Sequence, residues 1–214
     1  MLSQLDRIIF PDRCEVIEVI PSQQYVYPIF KNGSSSLYVT AKQNKWRIKL
    51  NEQIKQINQI DVILRDPQER LISGIDTFIQ YTIRDNPNLD NNTVQWFALN
   101  YLHLDRHYCP QFVWLINLAR YLNINAKLNF LSMADINTIT TLNKQSVVSK
   151  LIIEDTQIKQ NEMYQRIDKV IFACIGQSMT FDALLQHIKI SDLAAYEYVI
   201  GYAQQILKPT YALS

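Results

Sequence analysis

Ile60-Asp61-Val62-Ile63-Leu64-Arg65-Asp66-Pro67-Gln68-Glu69 decides the fold. Its first five residues form a nearly continuous apolar run of the kind found in strands buried on both faces of a parallel sheet. The chain then turns at once into a helix start. Asp66 is placed to cap it, Pro67 suits the first helical position, and Glu69 puts negative charge in the first turn. Leu71, Ile72, Ile75, Phe78 and Ile79 continue at helical spacing. Upstream, residues 25–29 are β-branched and aromatic, with Pro28 near the end of that strand. A small polar loop, 30–36, leads into a helix starting near Ser35 and apolar from Leu37. Trp46-Arg47-Ile48-Lys49-Leu50 alternates as a half-buried strand does, and 51–58 fits a short helix. Downstream come a polar loop over 85–92, a helix capped by Thr93 through Leu102, a helix over 112–122 and a strand over 126–131. Strand, loop and helix recur three times, which predicts an α/β fold with a central parallel sheet over about 22–135. Helical patterns near 134–142, 158–175, 180–188 and 191–207 make the last third helical. The whole is expected to be one domain, its helical part, about 136–214, packed around the sheet.

Composition narrows the function classes. The 214 residues carry 21 basic and 20 acidic side chains, so no global charge draws the chain to nucleic acid or to an anionic membrane. Basic and aromatic residues are not interleaved as in a nucleic-acid groove. No apolar run approaches the ~20 residues that span a bilayer. The first seven residues lack the basic-then-apolar layout of a secretory leader. Cys14, Cys109 and Cys174 are far apart and odd in number, and with three histidines no metal-ligand spacing is visible. Reduced thiols in a cytoplasmic protein, with no metal, are expected. Glycine is scarce: four residues, where average usage predicts roughly fifteen. That scarcity argues against many-turned β-sandwiches and glycine-rich dinucleotide folds.

Two segments point to anions. In Lys31-Asn32-Gly33-Ser34-Ser35-Ser36, Gly33 permits a tight turn that aims several N–H groups at one spot. The following helix adds its N-terminal donors, the serines add hydroxyls, and Lys31 adds a full charge. A serine-rich helix cap is the alternative. The loop is not a Walker A motif, which needs a second glycine followed by Lys-Ser/Thr. The second segment is Arg65, leaving the carboxyl end of a buried strand, where ligands of open α/β sheets gather. Ser73 stands two helical turns on and faces back only if the helix folds against the strand end. An ion-paired helix cap is the alternative for Arg65. Together the two sites suggest a ligand with phosphates at both ends of a nucleoside.

Three motifs carry a family resemblance. Ile29-Phe30-Lys31-Asn32-Gly33-Ser34-Ser35-Ser36-Leu37 resembles the 5′-phosphosulfate loop of sulfotransferases. Val62-Ile63-Leu64-Arg65-Asp66-Pro67-Gln68-Glu69-Arg70-Leu71-Ile72-Ser73 resembles their 3′-phosphate motif. Asp105-Arg106-His107-Tyr108-Cys109-Pro110-Gln111 is similar to a segment of the carbohydrate sulfotransferase branch. The resemblance covers about residues 25–135. It implies a three-layer, P-loop-kinase-like fold and the donor 3′-phosphoadenosine 5′-phosphosulfate, leaving adenosine 3′,5′-bisphosphate as product. Lys31, Gly33, Ser34, Ser35 and Ser36 would hold the 5′-phosphosulfate, and Arg65 and Ser73 the 3′-phosphate. The chain departs from the family at Phe30, where proline is usual, and at Ser132-Met133-Ala134, where an acidic residue and leucine are common. Asn32 fills a variable position.

Transfer of a sulfuryl group in line needs fixed donors at the leaving phosphate, a task suited to Lys31, and a base for the acceptor hydroxyl. The acceptor is expected to be a carbohydrate or other small hydroxyl-bearing metabolite. His107 is the preferred base, with His103 and Asp105 as candidates; structural packing and acceptor binding are the other roles open to His107. His187 reads as a surface or packing residue. Two other functions fit the same pattern: a nucleotide-binding module without transfer activity, and a small-molecule kinase.

Overall fold

The structure, a computed structural model, describes residues 13–20, 22–100, 107–139 and 162–206. Within them the chain forms β1 (Glu15–Val19), β2 (Gln24–Tyr27), α1 (Ser34–Gln43), β3 (Arg47–Leu50), β4 (Gln59–Leu64), α2 (Pro67–Asp85) and α3 (Asn91–Asn100). It continues with α4 (Gln111–Ala119), β5 (Lys127–Ser132), α5 (Glu162–Phe172), β6 (Ser178–Thr180), α6 (Phe181–Ser191) and α7 (Leu193–Ile206). The strands make one sheet in the order β3-β1-β2-β4-β5-β6. Its centre is parallel: Tyr27 pairs with Val62 and Leu64 with Ser132. The expected α/β architecture is present.

The unbroken apolar run of β4 has a direct cause, since both of its faces are covered. Val62 and Leu64 join Leu128 and Phe130 in a core closed by Phe112, Leu115, Ile167 and Ile171 together with residues of α6 and α7. Ile63 points the other way, to Ile17, Val26 and the buried Leu37 and Ala41 of α1. Helix α2 begins as its sequence predicts. Asp66 accepts hydrogen bonds from the N–H groups of Gln68 and Glu69, both 3.0 Å, and Pro67 occupies the first turn. Its apolar stripe, Leu71, Ile75 and Ile79, packs on Val94 of α3 and on Tyr108.

The sheet is mixed rather than wholly parallel, and several features differ from expectation. β1, absent from the sequence reading, brings the sheet's start forward to Glu15 and pairs antiparallel with β2 and β3. Val16 and Ile17 are both buried, on opposite faces, so no alternation marks the strand. The strand expected at 46–50 lies at the sheet edge, largely exposed, instead of continuing the parallel series. β6, within the supposedly helical third, pairs antiparallel with β5. Finally, the short helices expected over 51–58 and 134–142 are 3₁₀ turns, Asn51–Gln56 and Asp135–Thr138; residues beyond 139 in the second of these lie outside the described residues. Asp90, rather than Thr93, caps α3, accepting from both the Thr93 N–H and hydroxyl.

Candidate functional site

Because β2 and β4 are parallel neighbours, the segments that follow them emerge side by side. The Lys31–Ser36 loop and Arg65 are thereby brought together at the carboxyl ends of the strands, the usual ligand position in such sheets. Lys31 and Gly33 both have left-handed backbone, φ 68° and 79°, which is uncommon for a residue with a side chain. Gly33 then starts α1. No side chain caps that helix and no acid stands in its first turn, so its leading N–H groups keep their partial positive charge. Ser34 and Ser36 are buried beneath the loop and Ser35 is exposed. The start of α2 differs: Asp66 caps it, and Glu69 lies 3.5 Å from Arg65 Nε. The ion-paired cap considered for Arg65 is therefore present, and it leaves the guanidinium free to make a second contact.

That contact crosses to the loop. Arg65 Nη1 donates to the Lys31 carbonyl at 3.2 Å. The Lys31 ammonium meets the Thr77 hydroxyl at 2.5 Å, and Thr77 in turn donates to the carbonyl of Ser73. Ser73 thus lies on the turn of α2 that reaches back to Lys31. Partial burial lowers the Lys31 pKa, and the positive charges of Arg65 and Arg70 lower it further, against Asp76. Three cations gathered around one loop make a setting in which an anion is stabilised.

Asn32 binds this arrangement together. It is buried at 1 % exposure, and its amide nitrogen donates to the Ile63 carbonyl and to Gln111 Oε1, both 2.7 Å. Gln111, fully buried, also accepts the Arg65 N–H and donates to the Arg65 carbonyl. The loop, the end of β4 and the start of α4 therefore share one hydrogen-bonded centre. Asn32, at a variable position of the resembled motif, pins the loop in place. Arg70 adds a further tie, from its Nε to the Phe30 carbonyl at 3.1 Å and from Nη1 to the Cys109 carbonyl.

His107 approaches from the third motif. Its ring packs against Phe30 at 5.6 Å and edge-on to Tyr81 at 5.7 Å. Tyr81 follows Thr77 by one helical turn, so His107 stands beside the α2 face that carries Ser73 and Thr77. Phe30 also stacks on Trp114 at 5.1 Å, which gives the unusual residue before Lys31 a packing role. The approach of His107 depends on Gly74. A Cβ there would lie 2.3 Å from the His107 carbonyl oxygen and 2.7 Å from Tyr108 Cα. His103 and Asp105, the other base candidates, lie outside the described residues. At the bend after β5 the acid is Asp135, which accepts from the Ser132 N–H and hydroxyl at 2.7 Å; these bonds hold its carboxyl below the usual range.

No family model, curated protein or solved structure matches this chain. Among the described residues no cluster of His, Cys, Asp or Glu is placed to hold a metal ion, and none of the helices is long and apolar enough to cross a membrane. Cys14, Cys109 and Cys174 are buried, and none of them forms a disulfide among the described residues.

Four site residues escape the sequence reading: Asn32, Arg70, Thr77 and Asp168. Thr77 has a visible signal, standing four residues after Ser73 and so on the same helix face. Asp168 has one too, for it interrupts the apolar stripe of Tyr164, Ile167 and Ile171, where a charge needs a partner. It accepts the N–H groups of Gln111 and Phe112 at 2.7 and 3.0 Å and so caps α4 from a distant helix. Burial raises its pKa to about 6, against those bonds and the pull of Arg70.

Proposed function

We propose that the chain is a sulfotransferase of P-loop-kinase-like fold that uses 3′-phosphoadenosine 5′-phosphosulfate and sulfates a hydroxyl of a carbohydrate or other small metabolite. One observation carries the reading. Lys31 and Arg65, from separate anion-type motifs, converge at the ends of neighbouring parallel strands beside the uncapped N-terminus of α1. Such a site favours a ligand with closely spaced negative charges. Lys31 and the N–H groups of residues 33–36 would stabilise charge growing on the leaving 5′-phosphate, an electrostatic role realised in the transition state. Arg65, with Ser73, would hold the 3′-phosphate and so orient the nucleotide. His107 is the proposed base: its imidazole takes the acceptor's hydroxyl proton as the new S–O bond forms and the S–O bond to the leaving phosphate breaks. The missing Lys-Ser/Thr of a Walker motif speaks against an Mg-ATP kinase.

Calorimetry with adenosine 3′,5′-bisphosphate tests the donor site. Micromolar binding is expected, weakened about tenfold or more in Arg65→Ala and in Lys31→Ala through loss of charge-assisted contacts. Absence of binding by the wild type would sink the assignment. For the base, His107→Ala is expected to lower sulfuryl turnover about a hundredfold or more with donor affinity retained. Unchanged turnover would make His107 a packing residue.

A further inference from the structure

Arg70 and Asp168 are among the most deeply buried charged residues described, at 2 % and 4 % exposure. Arg70 spends Nε on the Phe30 carbonyl and Nη1 on the Cys109 carbonyl, while its buried Nη2 has no hydrogen-bond partner. Asp168 uses one oxygen for the Gln111 N–H and the other for the Phe112 N–H, which leaves each oxygen further accepting capacity. Both side chains line one small pocket, partly open to solvent and with about 10 Å³ of room, together with Pro67, Tyr108, Pro110 and Tyr164. That is about the space one water needs, and a buried water requires two or more polar partners. Asp168 also favours the charged form of Arg70, against the desolvation that disfavours it.

We propose that one water in this cavity, accepting from Arg70 Nη2 and donating to the Asp168 carboxylate, completes a buried relay. In it Arg70 and Asp168 are positioning residues that tie the Lys31 loop to helix α5. The geometry supplies both ends. Phe30 immediately precedes Lys31, and Gln111 holds Asn32 and the backbone of Arg65. A displacement of α5 therefore reaches both cationic arms of the site through one pair of side chains. The relay rests on the sulfotransferase reading only for its effect on nucleotide affinity.

Backbone hydrogen exchange in the free protein tests it without any ligand. Asp168→Asn and Arg70→Met are each expected to speed exchange of amides 31–36 by about tenfold or more, with amides 60–64 of β4 unchanged, as for a local opening. The double variant is expected to match the larger single effect. Additive effects, or faster exchange throughout the sheet, would overturn the relay. Adenosine 3′,5′-bisphosphate affinity should fall about tenfold in Asp168→Asn, and unchanged affinity beside a loosened loop would overturn the positioning role. Failure of the wild type to bind would remove the donor reading and leave the exchange result standing. If the variants do not fold, a high-resolution crystal structure of the wild type decides. Density for one water bridging both groups is expected, and a dry cavity or a direct Arg70–Asp168 ion pair overturns the proposal.

Discussion

Lys31 combines three unfavourable features for a lysine: left-handed backbone, partial burial and two guanidinium neighbours. A free ammonium in water avoids all three, so their coincidence makes sense where an anion is to be met. The lowered pKa has a direct consequence for binding. A base whose pKa is lowered loses its proton earlier as pH rises, whereas a bound phosphate favours the protonated form. Binding of adenosine 3′,5′-bisphosphate is therefore expected to hold steady near neutrality and to weaken in the alkaline range before an ordinary lysine would titrate. In that range binding takes up a proton. Calorimetry in buffers of different ionisation enthalpy measures the uptake. In Lys31→Arg the guanidinium stays charged, and both the decline and the proton uptake should vanish; if they persist, another group is responsible. The place of Lys31, Gly33 and Arg65 at the strand ends is legible in the sequence because each lies in a short motif with its own local chemistry. That of Asn32 is not. Its partner Gln111 is 79 positions away, and nothing local to Lys31-Asn32-Gly33 shows that its amide is buried.

Elements were legible where local and tertiary preferences agree. β4 and α2 have an apolar run, a capping aspartate and a proline in sequence order, and the fold uses all three. β1 and β6 lack such signals. Glu15 and Glu18 interrupt β1 and meet partners only in the fold, Glu15 accepting from the Tyr38 hydroxyl and Glu18 ion-pairing with Lys49, while β6 has three residues and takes its conformation from pairing with β5. The contact of α2 with the 107–110 segment shows the same dependence on close packing. Gly74 allows it, because a Cβ would strike backbone that cannot rotate away. The segment is also held by Arg70 at Cys109 and by Asp168 at Gln111. Overpacking costs about 1–3 kcal/mol, and with the segment so held the upper end applies. The gain from alanine in a helix offsets about 1 kcal/mol. Gly74→Ala is thus expected to lose about 2 kcal/mol, a fall in Tm of about 4–8 °C for a chain of this size. In Gly201→Ala, where a Cβ meets nothing within 4 Å among the described residues, the helix-propensity gain should raise Tm instead. A Gly74→Ala protein as stable as the wild type would show that the two elements can slide apart.

Across the molecule, the site and the C-terminal helices share one core. Phe112, in the first turn of α4, packs on Tyr164 of α5 and on Tyr198 and Tyr202 of α7, with ring centroids 5.5–6.3 Å apart. The same helices close the sheet face formed by Val62, Leu64, Leu128 and Phe130, and β6 covers the β5 edge. Removing residues 162–214 would strip three kinds of support at once. It would expose those side chains, each worth about 1.5–3 kcal/mol when buried. It would leave the Gln111 and Phe112 N–H groups without the Asp168 carboxylate. It would also leave Arg70 buried without the neighbouring negative charge that favours its charged form. The sum exceeds much of the 5–15 kcal/mol that holds a typical domain. A fragment ending at residue 161 is therefore expected to show no cooperative thermal transition and to bind an apolar dye such as ANS, as loosely packed states do. A fragment that melts cooperatively and binds adenosine 3′,5′-bisphosphate would instead make the helices dispensable. The Arg70–Asp168 connection would then have no part in shaping the site.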